Sequence, residues 1–330
     1  MKAILCKQPG PAHSLTIEDI PSPQVTGSGV KIRVHAAGLN FPDTLIIQGK
    51  YQIKPNFPFA PGGEMAGEVL EVGEKVTRFK AGDRVMGLTG YGAFAEEIVV
   101  AEQNLVALPQ EMNYEQGAAF SMVYGTSYYA LKQRANLQPG ETLLVLGASG
   151  GVGLATVELG KAMGARVIAC ASSDEKLAIA KAAGADDLIN YNKDDLKEAV
   201  KTLTKGQGAN VIYDPVGGDY SEQALRAIAW EGRHLVIGFA AGDIPKMPLN
   251  LTLLKGCQII GVFWGAFTMR DPQANYRNML ELLELFKQHK INPHISKRFA
   301  FHEYAAALNC LSERTATGKI VLNMPTQETL

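Results

Sequence analysis

Beyond Thr142 the chain alternates short apolar runs with stretches of helical spacing in a steady rhythm. Six runs are predicted as strands: Thr142–Leu146, Arg166–Cys170, Asp187–Asn190, Asn210–Tyr213, His234–Ile237 and Gln258–Phe263. Continuous apolar runs of this length fit strands covered on both faces, and the helical stretches between them imply a doubly wound parallel sheet with its ligand crevice at the C-terminal strand ends. The first 120 or so residues differ. There Lys2–Cys6, Leu15–Ile20, Val30–Ala36, Ala66–Val72, Arg84–Met86 and Phe94–Val100 read as short strands broken by Gly and Pro clusters, which predicts a β-rich domain. The pattern turns helical between Glu115 and Arg134, where the chain is expected to cross from one domain to the other. Past Pro272 come an amphipathic helix, Asn275–Gln288, and two strands, Phe299–Phe301 and Ile320–Leu322, expected to rejoin the first domain. The expected boundaries are 1–122 with 268–330, and 123–267. The fold class is α/β.

The stretch Glu141 to Gly153 joins the first apolar run of the second domain to a helix through Gly147, Gly150 and Gly153. Strand, Gly-rich turn and helix in that order suit a pyrophosphate, because a helix N-terminus offers free N–H groups and partial positive charge. Gly150 would let backbone approach the phosphates and Gly153 would let helix and strand pack closely; Ser149, Gly150, Gly151 and Val152 are the candidate cradle. The spacing is GxxGxxG rather than GxGxxG, so a tight turn without a ligand stands as the alternative.

Coenzyme choice in such a fold turns on the end of the second strand, where an acid usually binds the ribose 2′-hydroxyl of NAD. Here that end reads Ala171-Ser172-Ser173, with Lys176 one turn on and Tyr191 just past the third strand. Ser172, Ser173, Lys176 and Tyr191 could hold a 2′-phosphate, which points to NADP(H). Against this, Ser172 with Glu175 reads as a capping box, Lys176 as a solvated lysine, and Asp174 as an acid able to reach a ribose.

The 330 residues are 46% hydrophobic and 20% charged, with a formal net charge of −1, which disfavours nucleic acid or an anionic membrane as partner. The opening Met-Lys-Ala-Ile-Leu-Cys-Lys is too short an apolar run for a signal peptide, and no run suits a membrane span, so a cytoplasmic protein is expected. Cys6, Cys170, Cys257 and Cys310 form no CxxC pair, and the six histidines show no ligand spacing.

The chain resembles the medium-chain dehydrogenase/reductase superfamily, and within it the zincless quinone oxidoreductases, the zeta-crystallin-like group. The resemblance rests on Gly38-Leu-Asn-Phe-Pro-Asp43, Pro61-Gly-Gly-Glu-Met-Ala-Gly67, Gly82-Asp-Arg-Val85, Val123-Tyr-Gly-Thr126, the Gly147–Gly153 run and Ala182 to Tyr191. It implies a GroES-like β-rich catalytic domain beside a Rossmann domain. Zinc-dependent relatives carry a cysteine near position 40 and a Gly-His-Glu where this chain has Gly62-Gly63-Glu64, so two usual ligands are missing together and no metal is expected.

By resemblance, Asn40 and Tyr51 fall on the wall near nicotinamide and substrate, and Phe41, Asp43 and Leu45 line the coenzyme. Asp43 is also read as fixing its loop by backbone hydrogen bonds. Thr126 and Tyr129, then Gly238-Phe239-Ala240 and Phe263-Trp264-Gly265, match positions beside the nicotinamide half, and Arg314 matches a coenzyme contact. The implied activity is NADPH-dependent quinone reduction, with Asn40 a candidate donor to an oxygen gaining charge and Tyr51 either a proton donor or, on the favoured reading, an aromatic wall. Reduction of an activated C=C bond and a non-catalytic NADPH-binding role are the alternatives. The apolar sixth strand, Ile259 to Phe263, is expected to join two copies edge to edge in a homodimer.

Overall fold

The computed structural model describes residues 1–325. Its chain divides into two compact units, Met1–Met122 with Pro293–Leu330, and Val123–Asn292. The first begins with β1 (Lys2–Leu5) and β2 (Thr16–Asp19), an antiparallel pair. Next come β3 (Gly29–Leu39), β4 (Glu64–Val72), β5 (Arg84–Leu88), β6 (Glu97–Ala101) and β7 (Leu105–Ala107), joined by antiparallel pairing. In β3 every second residue from Val30 to Val34 is buried, the period-two pattern of a strand with one face on a core. The β7 strand has no counterpart in the expected elements; three residues before Leu108-Pro109 carry too little pattern to register.

The second unit holds β8 (Thr142–Val145), β9 (Arg166–Ala171), β10 (Asp187–Asn190), β11 (Ala209–Asp214), β12 (Ile228–Val236) and β13 (Gln258–Gly261). They form one sheet in the order β10-β9-β8-β11-β12-β13, every pairing parallel. This is the doubly wound topology expected, with its strand order reversing between β8 and β11. Leu143 to Leu146, Val167 to Cys170 and Val211 to Tyr213 have no exposed surface, as runs covered on both faces should. The β12 strand starts six residues before the expected His234, because Glu231 (φ 57°) and Gly232 read as a turn but are absorbed as an irregularity in its pairing with β11.

Helix Pro272–Lys287 is capped by Asp271, whose side chain accepts from the Ala274 N–H, and it buries Met279, Leu282, Leu283 and Phe286. Asn278 accepts from Gln133 at 2.8 Å and Glu281 from the Tyr128 hydroxyl at 2.5 Å, so this helix packs within the second unit. The return to the first unit therefore falls after Asn292 rather than at 268. Amphipathic spacing shows that a helix has a buried face, not which core receives it. The chain then completes the first sheet with β14 (Ile295–Ala300) and β15 (Lys319–Asn323), the latter antiparallel to β3.

Candidate functional site

The Gly-rich turn follows β8 directly. Gly147 has φ +58°, its carbonyl accepts from the Gly150 N–H at 3.0 Å, and Gly150 caps helix Gly151–Ala162. A Cβ on Gly153 would lie 2.2 Å from the Gly147 oxygen and 2.8 Å from the Ala148 Cα, so only glycine lets the helix start this close to the strand. A Cβ on Gly150 would meet only the Gly147 oxygen, at 3.4 Å. Space above the turn and the first-turn N–H groups of Gly151 and Val152 together fit a pyrophosphate. Ser149 sits in the turn, almost fully buried.

At the end of β9 the structure gathers Ser172, Ser173, Lys176 and Tyr191. Lys176 Nζ donates to Ser172 Oγ at 3.2 Å, while the Tyr191 N–H donates to the Ala171 carbonyl, holding the start of the next loop alongside. The helix cap is Ser173 rather than Ser172, its Oγ accepting from the Lys176 N–H at 3.3 Å. Asp174, the residue that could have turned this corner toward NAD, is committed elsewhere. Its carboxylate accepts from Asn190 Nδ2 and Lys193 Nζ, each at 2.6 Å.

Past the switch point, one buried carboxylate organises the strand ends. Asp214 accepts from the Val216 and Gly217 N–H groups, the Ser221 hydroxyl and His234 Nε2. Burial pushes its pKa up, but the His234 and Gly217 bonds outweigh that and hold it below the usual value. Above it, Ala240 and Ala241 donate to the Pro215 and Val216 carbonyls, placing Gly238, Phe239 and Ala240 beside residues 215–217. Phe239 is partly exposed there, and Tyr129 stacks on Phe267 at 4.2 Å with Thr126 one turn before it.

Trp264 departs from its expected role. It is 4% exposed, its indole N–H donates to Asn275, and its ring fills the space where a Gly125 Cβ would lie 2.2 Å away, so it anchors the unit instead of facing a ligand. Its neighbour Phe263 is exposed, and Gly265 follows in the same helix.

In the first unit, Asn40 is the main correction. Its Nδ2 donates to Glu64 Oε2 at 2.9 Å and to the Gly38 carbonyl at 3.3 Å, and its Oδ1 accepts from Lys319 Nζ at 2.7 Å. With both faces of the amide spent, Asn40 has no donor left for a substrate oxygen; it is a positioning residue in a buried cluster. Lys319 Nζ also donates to Glu64 Oε2 and to the Leu39 carbonyl, both at 3.0 Å, and the second Glu64 oxygen accepts from the Met122 N–H.

Asp43 is 2% exposed and accepts from the Asn40 and Gly63 N–H groups, so it fixes the loop and does not face a coenzyme. Burial raises its pKa to about 7 against the pull of those N–H groups and Lys319. Burial and the nearby Asp43 charge raise the Tyr51 phenol as well, and its ring packs on the apolar core of this unit. Phe41 is exposed and Leu45 partly so on helix Phe41–Ile46, and Arg314 lies exposed in the turn after helix Tyr304–Ser312.

Glu64 stood in a recognised motif without an assigned task, while Lys319, Asp214, His234, Asn190 and Lys193 carried no signal in the sequence.

Known proteins agree with this architecture. The family described as alcohol dehydrogenase GroES-like domain matches residues 27–110, and that described as zinc-binding dehydrogenase matches residues 151–284. A quinone oxidoreductase-like protein 2 homolog from Nematostella vectensis is 44% identical over 98% of this chain and 88% of its own length. The chain belongs to the zincless quinone oxidoreductase family. Among solved structures, this family member is similar to an Escherichia coli quinone oxidoreductase complexed with NADPH, at 27% identity and a TM-score of 0.91 over 98% of this chain and all of that one. It is also similar to the CurK enoyl reductase, at 26% identity and a TM-score of 0.89 over 98% of this chain and 99% of that one. Among the described residues, the zincless oxidoreductase has no group of three His, Cys, Asp or Glu side chains able to hold a metal, and no helix long and apolar enough to cross a membrane.

Proposed function

We propose that this oxidoreductase reduces quinones with NADPH as its electron donor. The observation that carries the coenzyme half is the corner at the end of β9, where Lys176 and two serines stand beside Tyr191 while Asp174, which opens the following helix, is tied to Asn190 and Lys193. The similar NADPH complex supports the same reading. In it, the N–H groups of Gly151 and Val152 hold the pyrophosphate, Ser172, Ser173, Lys176 and Tyr191 hold the 2′-phosphate, and the strand ends carrying Phe239 and Ala240 orient the nicotinamide half. Bound there, NADPH supplies a hydride.

The chain's own part is to bind, orient and exclude water. Asn40 has no free donor and burial weakens Tyr51 as an acid, which favours an acceptor whose reduced form takes its protons from water. A quinone is such an acceptor. Similarity to an enoyl reductase keeps reduction of an activated C=C bond as the second reading. Following NADPH oxidation with 9,10-phenanthrenequinone, 1,4-benzoquinone and a conjugated enone separates the two: fast turnover of the enone with slow turnover of both quinones would overturn the proposal, and no turnover of any would favour a non-catalytic NADPH binder.

The protein is further proposed to be a cytoplasmic homodimer. The β13 strand ends the sheet, and Trp230, Leu249, Leu253, Leu254 and Met269 are exposed in the segments around it, an apolar edge that pairing with a second copy would cover. Equilibrium sedimentation showing a single-chain species alone would refute the dimer.

A further inference from the structure

Asp174 is the first residue of helix Asp174–Ala182, next to Ser173 and within the stretch that decides between two coenzymes. What disposes of it is a bridge from the neighbouring strand. Asn190, at the end of β10 and 6% exposed, uses its Oδ1 to accept from the Asn192 N–H at 3.2 Å, which leaves its Nδ2 to donate to Asp174 Oδ1. Lys193, three residues on, closes the bridge on Asp174 Oδ2. Asn192 pins the same loop to β9 by donating to the Ser172 carbonyl at 2.8 Å. The bonds to Lys193 and Asn190 hold the Asp174 pKa below its usual value, so the acid is ionised and its charge matched by the lysine.

As a contribution to stability this bridge counts for little, since both charged side chains are 65% exposed and solvent screens their attraction. We propose that its role is coenzyme selection: Asn190 and Lys193 hold the Asp174 carboxylate at the end of β10, so that it does not accept from an unphosphorylated ribose and its charge toward a 2′-phosphate is matched by Lys193. This rests on the NADPH reading above and adds two selecting residues that never need to touch the coenzyme. Freed from the bridge, Asp174 becomes the acid that a dinucleotide fold uses to accept from the ribose 2′-hydroxyl of NAD.

The test is isothermal titration of the full-length protein with NADPH and NADH, reading dissociation constants rather than turnover. Lys193→Met is expected to bind NADH about fivefold more tightly and NADPH about tenfold more weakly, each a change on the order of 1 kcal/mol. Loss of a cation alone would weaken both coenzymes, so tightened NADH binding is diagnostic of a released acid. Adding Asp174→Asn to that variant should cancel the NADH gain and return NADPH to within about threefold of wild type, about 0.7 kcal/mol. Lys193→Met without an NADH gain, or a gain that survives Asp174→Asn, overturns the inference while leaving the NADPH reading intact. A wild-type protein that binds NADH as tightly as NADPH overturns both.

Discussion

Lys319→Met should be among the most damaging single changes in the first unit. The Lys319 and Glu64 side chains are 4% and 0% exposed, and their charged atoms lie 3.0 Å apart. At an effective dielectric of about 20, unit charges at that separation attract by roughly 5 kcal/mol. Removing the lysine strands a buried carboxylate, a change that costs about 3–5 kcal/mol, and it also frees the Asn40 Oδ1 and the Leu39 carbonyl that Lys319 satisfies. Urea denaturation followed by circular dichroism would read the loss as a lower midpoint at unchanged slope. Adding Glu64→Gln should recover most of it, because the amide oxygen can still accept from the Met122 N–H and the orphaned charge is gone. A single variant within about 1 kcal/mol of wild type, or a double variant no better than the single, would refute the claim that a paired charge holds this cluster together.

Three further outcomes are expected. Lys176→Ala should weaken NADPH binding by about ten- to a hundredfold, the worth of one charge-assisted hydrogen bond, and leave NADH nearly unchanged; equal losses would remove Lys176 from the phosphate corner. Tyr51→Phe should keep the turnover number within about twofold, whereas a drop of a hundredfold or more would make the phenol a proton donor after all. Glu158 has its pKa raised to about 7 by burial, against the bonds it accepts from Tyr124 and Asn292. The folded state therefore binds this proton more tightly than the unfolded chain, and the resulting stability is present at low pH and lost as pH rises toward 7. Glu158→Gln should abolish that loss, up to about 3 kcal/mol, in unfolding free energies compared between pH 4.5 and 7; identical pH slopes would contradict it.

The second unit was legible because its strands are continuous apolar runs and its Gly-rich turn needs glycine for a steric reason that shows in spacing. Ser172, Ser173, Lys176 and Tyr191 could be gathered from the sequence because neighbouring parallel strands end on the same side. What could not be read was which polar atoms were already spent. Asn40 and Lys319 are 279 positions apart, and nothing local says that β15 lies against β3 and delivers an ammonium to that amide. Asp174 had the same ambiguity at shorter range: its sequence neighbours suit either coenzyme, and the partner that decides lies on another strand. The helix Pro272–Lys287 was visible as an element, but its host unit was set by Gln133 and Tyr128, far upstream.

The convergence on Asp214 has a bearing on engineering. Because one carboxylate ties together a glycine loop, a helix start and a histidine on the adjacent strand, the segment 214–221 is not a portable cassette. Grafting it into another dehydrogenase scaffold without the equivalent of His234 would bury the carboxylate with one of its four partners missing, although the Val216, Gly217 and Ser221 donors travel with the segment. Recombination between family members should succeed when the crossover points lie outside both β11 and β12, keeping acid and imidazole of common parentage.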